Sequence, residues 1–298
     1  LLSGRVDDVT GSALLLLLVF GAAKAALMPL HGWLPHAMVA PAPVSALLHA
    51  VAVVKAGVFT VLKISAYIFG PDLIATLSSA TWILWVAAAT IVIASLVAMT
   101  KDDLKARLAW STVGQLAYIT SAAMLPMAAG LVAGGLHMVF HAVAKITLFM
   151  CAGAIYVATG ASRVSDMGGL GRRMPWVFVA FLVASFAIVG LPPMAVMWSK
   201  FLLMSVSFGA GEWLTAVALI ASSLLSLVYL VPIAFRALFP PMGETPSRDF
   251  VRPGGTPATA LVALCLTAAG CIVLFFLADW LAKYLAPLSA VTFMEAAP

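Results

Sequence analysis

Four lysines and three histidines fall inside long apolar runs of this sequence: Lys24, Lys55, Lys145 and Lys200, with His49, His137 and His141. A charged lysine at the centre of a lipid bilayer costs at least ~3 kcal/mol. Four of them cannot all face lipid, so they are expected to face the inside of a helix bundle, in contact with water. Taking an ammonium out of water favours its neutral amine. Such a lysine can take up and release a proton that a solvated lysine holds. Histidine titrates near neutral pH and carries its proton on either of two ring nitrogens. The chemistry open to these residues is proton exchange between fixed stations, without a covalent step and without a catalytic residue in the enzymatic sense.

The segment GGLHMVFHAVAKITLFM places His137, His141 and Lys145 at i, i+4 and i+8, one stripe on one helix face. A stripe of this kind suits a relay. Two other readings stay open. Histidines at i, i+4 can ligate a metal, although no cysteine or carboxylate lies nearby and a lysine follows. His49, His137 or His141 could hold a haem if two histidines oppose each other on different helices. Neither a metal nor a cofactor is expected. His49 and Lys55 are six residues apart, about 240° net around an α-helix, so they are expected to point to different sides, one toward Lys24 and one toward a neighbouring pathway. Lys63 and Lys283 lie near segment ends and suit snorkelling, a reading that also stays open for Lys24. All 11 acidic residues fall in loops or near segment ends. Buried charges in membranes usually pair, so the lysines are either largely neutral or have carboxylate partners outside this sequence.

The elements that must hold these residues are membrane helices. Hydrophobic residues make up 64% of the 298 and charged residues only 9%, against about a quarter charged in a soluble domain. Mean hydropathy is +1.13, so the default solvent is lipid. About eight segments meet the length for crossing: 11–28, 43–68, 77–100, 104–124, 127–159, 175–206, 213–238 and 258–286. Strand-like alternation and soluble domains are missing from the pattern, and the longest polar stretch runs from Pro240 to Pro257. The fold class is therefore an all-α integral membrane protein.

Two segments are interrupted. The first meets Pro29 shortly after Lys24; the sixth contains Pro192 and Pro193 and resumes through Lys200. Proline removes a backbone donor and clashes with the preceding turn. Broken backbone at membrane depth is tolerated where protein or a water-filled cavity satisfies it, and transporters place such breaks at their ion sites. A plain kink is the competing reading.

Every second connection is basic: Lys101, Lys105 and Arg107; Arg163, Arg172 and Arg173; Arg236, Arg248 and Arg252. The connection near Pro35 shares that parity but carries only histidines. The positive-inside rule places this set in the cytoplasm and the C-terminus on the other side of a cell inner (plasma) membrane. The scatter of basic residues does not suit nucleic acid. Cys151, Cys265 and Cys271 have no metal or disulfide spacing and read as small core residues. The sequence begins with Leu1 and lacks a signal-peptide pattern, so it is expected to be a piece of a longer protein, cut on its N-terminal side, while Pro298 suits a natural terminus.

The string AAKAALMPLHGWLPHAMVAPAPVSALLHAVAVVKAG, Ala22 to Gly57, resembles the antiporter-like membrane subunits shared by Mrp-type multisubunit sodium/proton antiporters and the proton-pumping NADH:quinone oxidoreductase, complex I. The likeness continues through KDDLKARLAWSTVGQLAY, HMVFHAVAKITLF, MGGLGRRMP and GLPPMAVMWSKFLL, covering nearly the whole chain in order. The wording from Ala37 to Lys63 is most similar to the D-type membrane component of the Mrp antiporters.

The resemblance implies a fourteen-helix fold built from two inverted repeats of five helices with flanking helices. Residues 1–76 would close the first repeat, 77–240 would form the second, and 241–298 would supply a loop and the last helix. It implies that Lys24 is the central lysine of the first broken helix, that His49 and Lys55 connect, that His137, His141 and Lys145 form the central relay, and that Lys200 is the terminal ionisable group. A glutamate that pairs with the first lysine in the family lies outside this sequence. The implied function is proton translocation in an Mrp-type cation/proton antiporter among other membrane subunits. A membrane subunit of a quinone oxidoreductase is the alternative, and a haem-bearing redox subunit a more distant one. Sodium transport is left open, since no intramembrane carboxylate or carbonyl cage is evident.

Overall fold

The computed structural model describes residues 2, 4–239 and 256–287, and among them the secondary structure is helical apart from one isolated bridge between Asp103 and Arg163. Part of the polar loop, with Arg248 and Arg252, and the end of the chain lie outside the described residues.

Helix α1 covers Asp8–Gly21 and is capped by the Asp7 carboxylate, which accepts from the Thr10 amide at 3.2 Å. Helix α2, Ala42–Phe69, contains two π-helical stretches, Leu47–Val51 and Ile64–Phe69. Then follow α3 Ser78–Thr100, α4 Leu104–Met124, α5 Ala128–Thr159, α6 Pro175–Val189, α7 Val196–Gly209, α8 Trp213–Leu238, α9 Ala258–Phe276 and α10 Ala278–Leu285. Five of these, α2, α3, α5, α8 and α9, are long and apolar enough to cross a bilayer alone. The sixth expected segment is two short apolar helices, α6 and α7, separated by the break at residues 190–195. The eighth divides at Leu277 into α9 and the exposed, amphipathic α10.

Helix α5 is the centre of the bundle, touching α2, α4, α6, α7 and α9. Its 32 residues make it about 48 Å long at 1.5 Å per residue, longer than the ~30 Å hydrocarbon core. Helix α4 is buried over nearly its whole length between its neighbours, which is why it can carry Ser111, Thr112, Gln115 and Tyr118 at membrane depth. Two apolar clusters divide the core. One gathers α5, α6, α8 and α9 and takes in the buried Cys151 and Cys271, with the half-buried Cys265 packed against it. The other gathers α1, α2, α3 and α4.

The basic connections, which sequence parity groups together, meet at one end of the bundle. Leu104 N donates to Ser162 O and Val164 N to Asp102 O, Gly169 N donates to Arg236 O, and the Lys105 ammonium donates to Met38 O at 3.0 Å and Ala40 O at 3.1 Å. The histidine-bearing connection near Pro35 thus shares this end.

Candidate functional site

Both expected breaks are present, with Pro29, Pro192 and Pro193 in them, and the Met28–Pro29 and Pro192–Pro193 peptides are cis. In the second, α6 ends at Gly190, whose φ of 91° favours glycine. The last carbonyls of a helix lack partners within it. Lys200, from the first turns of α7, folds back onto them: its Nζ donates to Ile188 O at 2.7 Å, Val189 O at 3.2 Å and Ser223 Oγ at 2.9 Å. The negative end of the α6 dipole also favours an ammonium there.

The first break departs from expectation. Helix α1 ends at Gly21, and Lys24 sits on a single 3₁₀ turn, Ala23–Ala25, outside any long helix. The Trp33 indole donates to Ala23 O at 3.1 Å, and the turn's backbone rests on Gly57 of α2. That packing commits the inward face of the turn to main chain, so the Lys24 side chain is exposed on the described chain and not buried. A second correction concerns α2. His49 and Lys55 both face α5: the His49 ring lies 5.2 Å from that of Phe149, and Lys55 Nζ is 2.6 Å from His141 Nδ1. His49 sits inside the π-helical stretch Leu47–Val51. Its wider turn advances less than the 100° per residue of an α-helix, which narrows the expected divergence, and the two side chains meet α5 at separate levels, Phe149 and His141.

The remaining stations are brought together, in an order the spacing does not show. His141 and His137 stack with centroids 5.8 Å apart and ring planes at 9°. His137 stacks in turn on Tyr118 of α4, at 5.1 Å and 11°, and its Nδ1 is 3.0 Å from Ser199 Oγ. Lys200 Nζ lies 5.1 Å from the Tyr118 ring centroid, a cation–π distance. The result is a buried row, Lys55–His141–His137–Tyr118–Lys200, drawn from α2, α5, α4 and α7. His137 and His141 have no solvent exposure, and Lys55 and Lys200 have 7%. With a cationic Lys55 donating, His141 Nδ1 accepts and the imidazole is neutral.

Lys145 faces α4 as His137 does, but it hydrogen-bonds outside the row. Its Nζ turns to α4, donating to Leu108 O at 3.1 Å and Ser111 Oγ at 2.8 Å, and Ser111 accepts from the Tyr229 hydroxyl at 2.9 Å. Tyr118, Ser111, Ser199, Ser223, Ser226 and Tyr229 escape a reading centred on ionisable groups. Their signal is the polar content of apolar helices, in WSTVGQLAYITS, MWSKFLL and SSLLSLVY.

His137 and His141 stack on successive turns of one helix, so together they do not flank a macrocycle from opposite sides. Among the described residues, no group of three or more histidine, cysteine or acidic side chains is placed to hold a metal.

A multi-pass helical membrane protein, with broken helices and a buried lysine–histidine row at its centre, is the class these features define. The family described as NADH:quinone oxidoreductase/Mrp antiporter, transmembrane, matches residues 4–226, and the chain belongs to it. It is 35% identical over 262 residues to NADH-quinone oxidoreductase subunit N of Desulforudis audaxviator, covering 84% of this chain and 52% of that one. Among solved structures, a chain of the Mrp complex from Dietzia sp. is similar with a TM-score of 0.81 at 25% identity over 93% of this chain and 58% of that one. A chain of the membrane-bound sulfane sulfur reductase, an archaeal respiratory complex, is similar at 0.82 and 27% over 97% and 58%. The chain spans about half or less of the length of the curated relatives it matches.

Proposed function

We propose that the chain is part of a proton-translocating subunit of an Mrp-type monovalent cation/proton antiporter, of the D type, working among other membrane subunits of a plasma-membrane complex. The carrying observation is the unbroken set of contacts from Lys55 to Lys200. A proton can pass between Lys55 and His141 along their 2.6 Å hydrogen bond. Stacked rings share no hydrogen bond, so the step from His141 to His137 goes through water at their edges. His137 reaches Ser199 and stacks on Tyr118, whose ring centroid lies 5.1 Å from the ammonium of Lys200. Charge on one lysine disfavours charge on the next, which couples the stations electrostatically.

On this reading residues 1–76 close a first repeat containing Lys24, 77–240 form the second, and 241–298 finish the fold. The end with the clustered basic connections faces the cytoplasm, and the C-terminus lies on the other side. H⁺ is the ion this chain carries; Na⁺ exchange belongs to the assembled antiporter. The test is proton flux in vesicles bearing the assembled complex with Lys145→Ala or Lys200→Ala. Loss of flux with assembly intact is expected, and unchanged flux in both variants sinks the reading.

The likeness to subunit N of a quinone oxidoreductase supports a second reading, in which the same row serves a redox-driven pump and the electron transfer occurs on other subunits. Flavin or iron–sulfur absorbance in the purified native complex favours the second reading, and its absence the first.

A further inference from the structure

Lys145 leads away from the histidine row and toward one end of the bundle. Its Nζ is 2.8 Å from Ser111 Oγ, the Tyr229 hydroxyl donates to the same oxygen at 2.9 Å, and Ser226 Oγ is 3.1 Å from the Tyr229 hydroxyl. Lys145, Ser111, Tyr229 and Ser226 are all buried. A hydroxyl donates one proton and accepts others and turns to suit, so these groups can pass a proton in either direction.

Tyr229 carries a second connection through its backbone. Its carbonyl accepts from Arg107 Nη1 at 3.1 Å, while Arg107 Nε donates to Lys101 O at 2.7 Å. The guanidinium therefore ties the 101–103 connection to the wall of α8. It also lines a cavity of about 560 Å³ with Asp102, Ser165, Val228, Pro232 and Arg236, at the end where the basic connections meet. Pro232 has no N–H, so the Val228 carbonyl loses its helical partner. The α8 backbone is thus opened beside the cavity, one residue before Tyr229.

We propose that the Tyr229–Ser111 hydroxyls are a proton entrance to Lys145 from this cavity, and that Arg107 is its latch. A proton from cavity water binds the Tyr229 oxygen as that hydroxyl gives its own proton to Ser111, and Ser111 gives its proton to the neutral amine of Lys145. One O–H bond forms and one breaks at each oxygen, and rotation of the hydroxyls resets them. Releasing Arg107 from the Tyr229 carbonyl opens the wall to water.

The entrance rests on the reading that Lys145 carries protons, so its test includes a readout independent of transport. In the assembled complex with Cys265→Ser, Ser226→Cys is exposed to a small membrane-impermeant methanethiosulfonate from the side of the basic connections. Arg107→Ala should speed labelling roughly tenfold, the shift that loss of one charge-assisted hydrogen bond gives an opening equilibrium. Arg107→Lys, which keeps the charge and a donor, should label closer to the parent. Tyr229→Phe, which keeps the ring, should lower proton flux with assembly unchanged. Labelling that ignores Arg107→Ala overturns the latch. Full flux in Tyr229→Phe overturns the entrance. Flux untouched by Lys145→Ala also overturns the entrance, and flux untouched by both Lys145→Ala and Lys200→Ala removes the proposed function instead, told apart because labelling does not depend on flux.

Discussion

The Lys55 ammonium is 2.6 Å from Nδ1 of His141, on a different helix and 86 residues along the chain. The pair joins α2 to the central α5 at membrane depth, and removing either residue removes the same hydrogen bond. Lys55→Ala and His141→Ala should each lower proton flux roughly 10²-fold, the low end for a positioned proton-transfer group. The double variant should be little worse than the poorer single one, a coupling of about 0.5–3 kcal/mol. Flux in vesicles holding the assembled complex measures this, and multiplicative losses would show that the two residues act independently.

Lys200 has a structural task beside its proposed one. Its ammonium satisfies Ile188 O and Val189 O at the end of α6, and a buried acceptor left without a partner costs about 1–3 kcal/mol. Lys200→Ala should therefore lower both the melting temperature of the complex and its flux. Lys200→Arg separates the two. A guanidinium keeps the donors but does not give up its proton, so stability should largely return while flux stays lost. An arginine variant that conducts would remove Lys200 from the proton route and leave it as a helix-end cap.

Most of the helical layout was legible in the sequence because apolar length and proline position are local properties. The break at Pro192–Pro193, the burial of His137, His141 and Lys145, and the shared parity of the basic connections all follow from them. What spacing could not carry was the choice of partner. His49 and Lys55 meet the same neighbour at separate levels, with a π-helical stretch around His49, and the Lys145 ammonium takes Ser111 and the Leu108 carbonyl on α4 as its oxygen partners. The place of Lys24 was hidden for another reason. Its exposure depends on a backbone contact with Gly57, and nothing in the pattern around Lys24 encodes that contact.

Tyr118 is the member of the row that carries neither an ammonium nor an imidazole. Its ring lies between the neighbourhoods of His137 and Lys200, and its hydroxyl donates to Leu219 O at 3.0 Å. Tyr118→Phe keeps the stacking and the cation–π contact and gives up one hydrogen bond, worth about 1 kcal/mol. Tyr118→Leu gives up all three. If the ring positions His137 and Lys200, flux should fall much further in Tyr118→Leu than in Tyr118→Phe. Equal losses would assign the effect to the hydroxyl.

Gly57 sets how closely α2 approaches the first break. A Cβ there would lie 2.3 Å from both Ala25 N and the Lys24 carbonyl carbon. Both are backbone atoms, which cannot swing aside as a side-chain tip can. Alanine is the better helix former by ~0.8–1.0 kcal/mol, so propensity alone predicts that Gly57→Ala stabilises the protein. Overpacking against a fixed neighbour costs about 1–3 kcal/mol, and two backbone atoms inside contact distance put this site at the upper end. The variant should therefore melt lower and displace the turn that carries Lys24. Gly21, at the end of α1, is the control, because a Cβ there meets nothing within 4 Å. Gly21→Ala should be neutral or stabilising by about 0.4–1 kcal/mol. Melting curves of the two variants decide it: a Gly57→Ala protein as stable as Gly21→Ala would mean that the break yields to α2 and does not depend on its close approach.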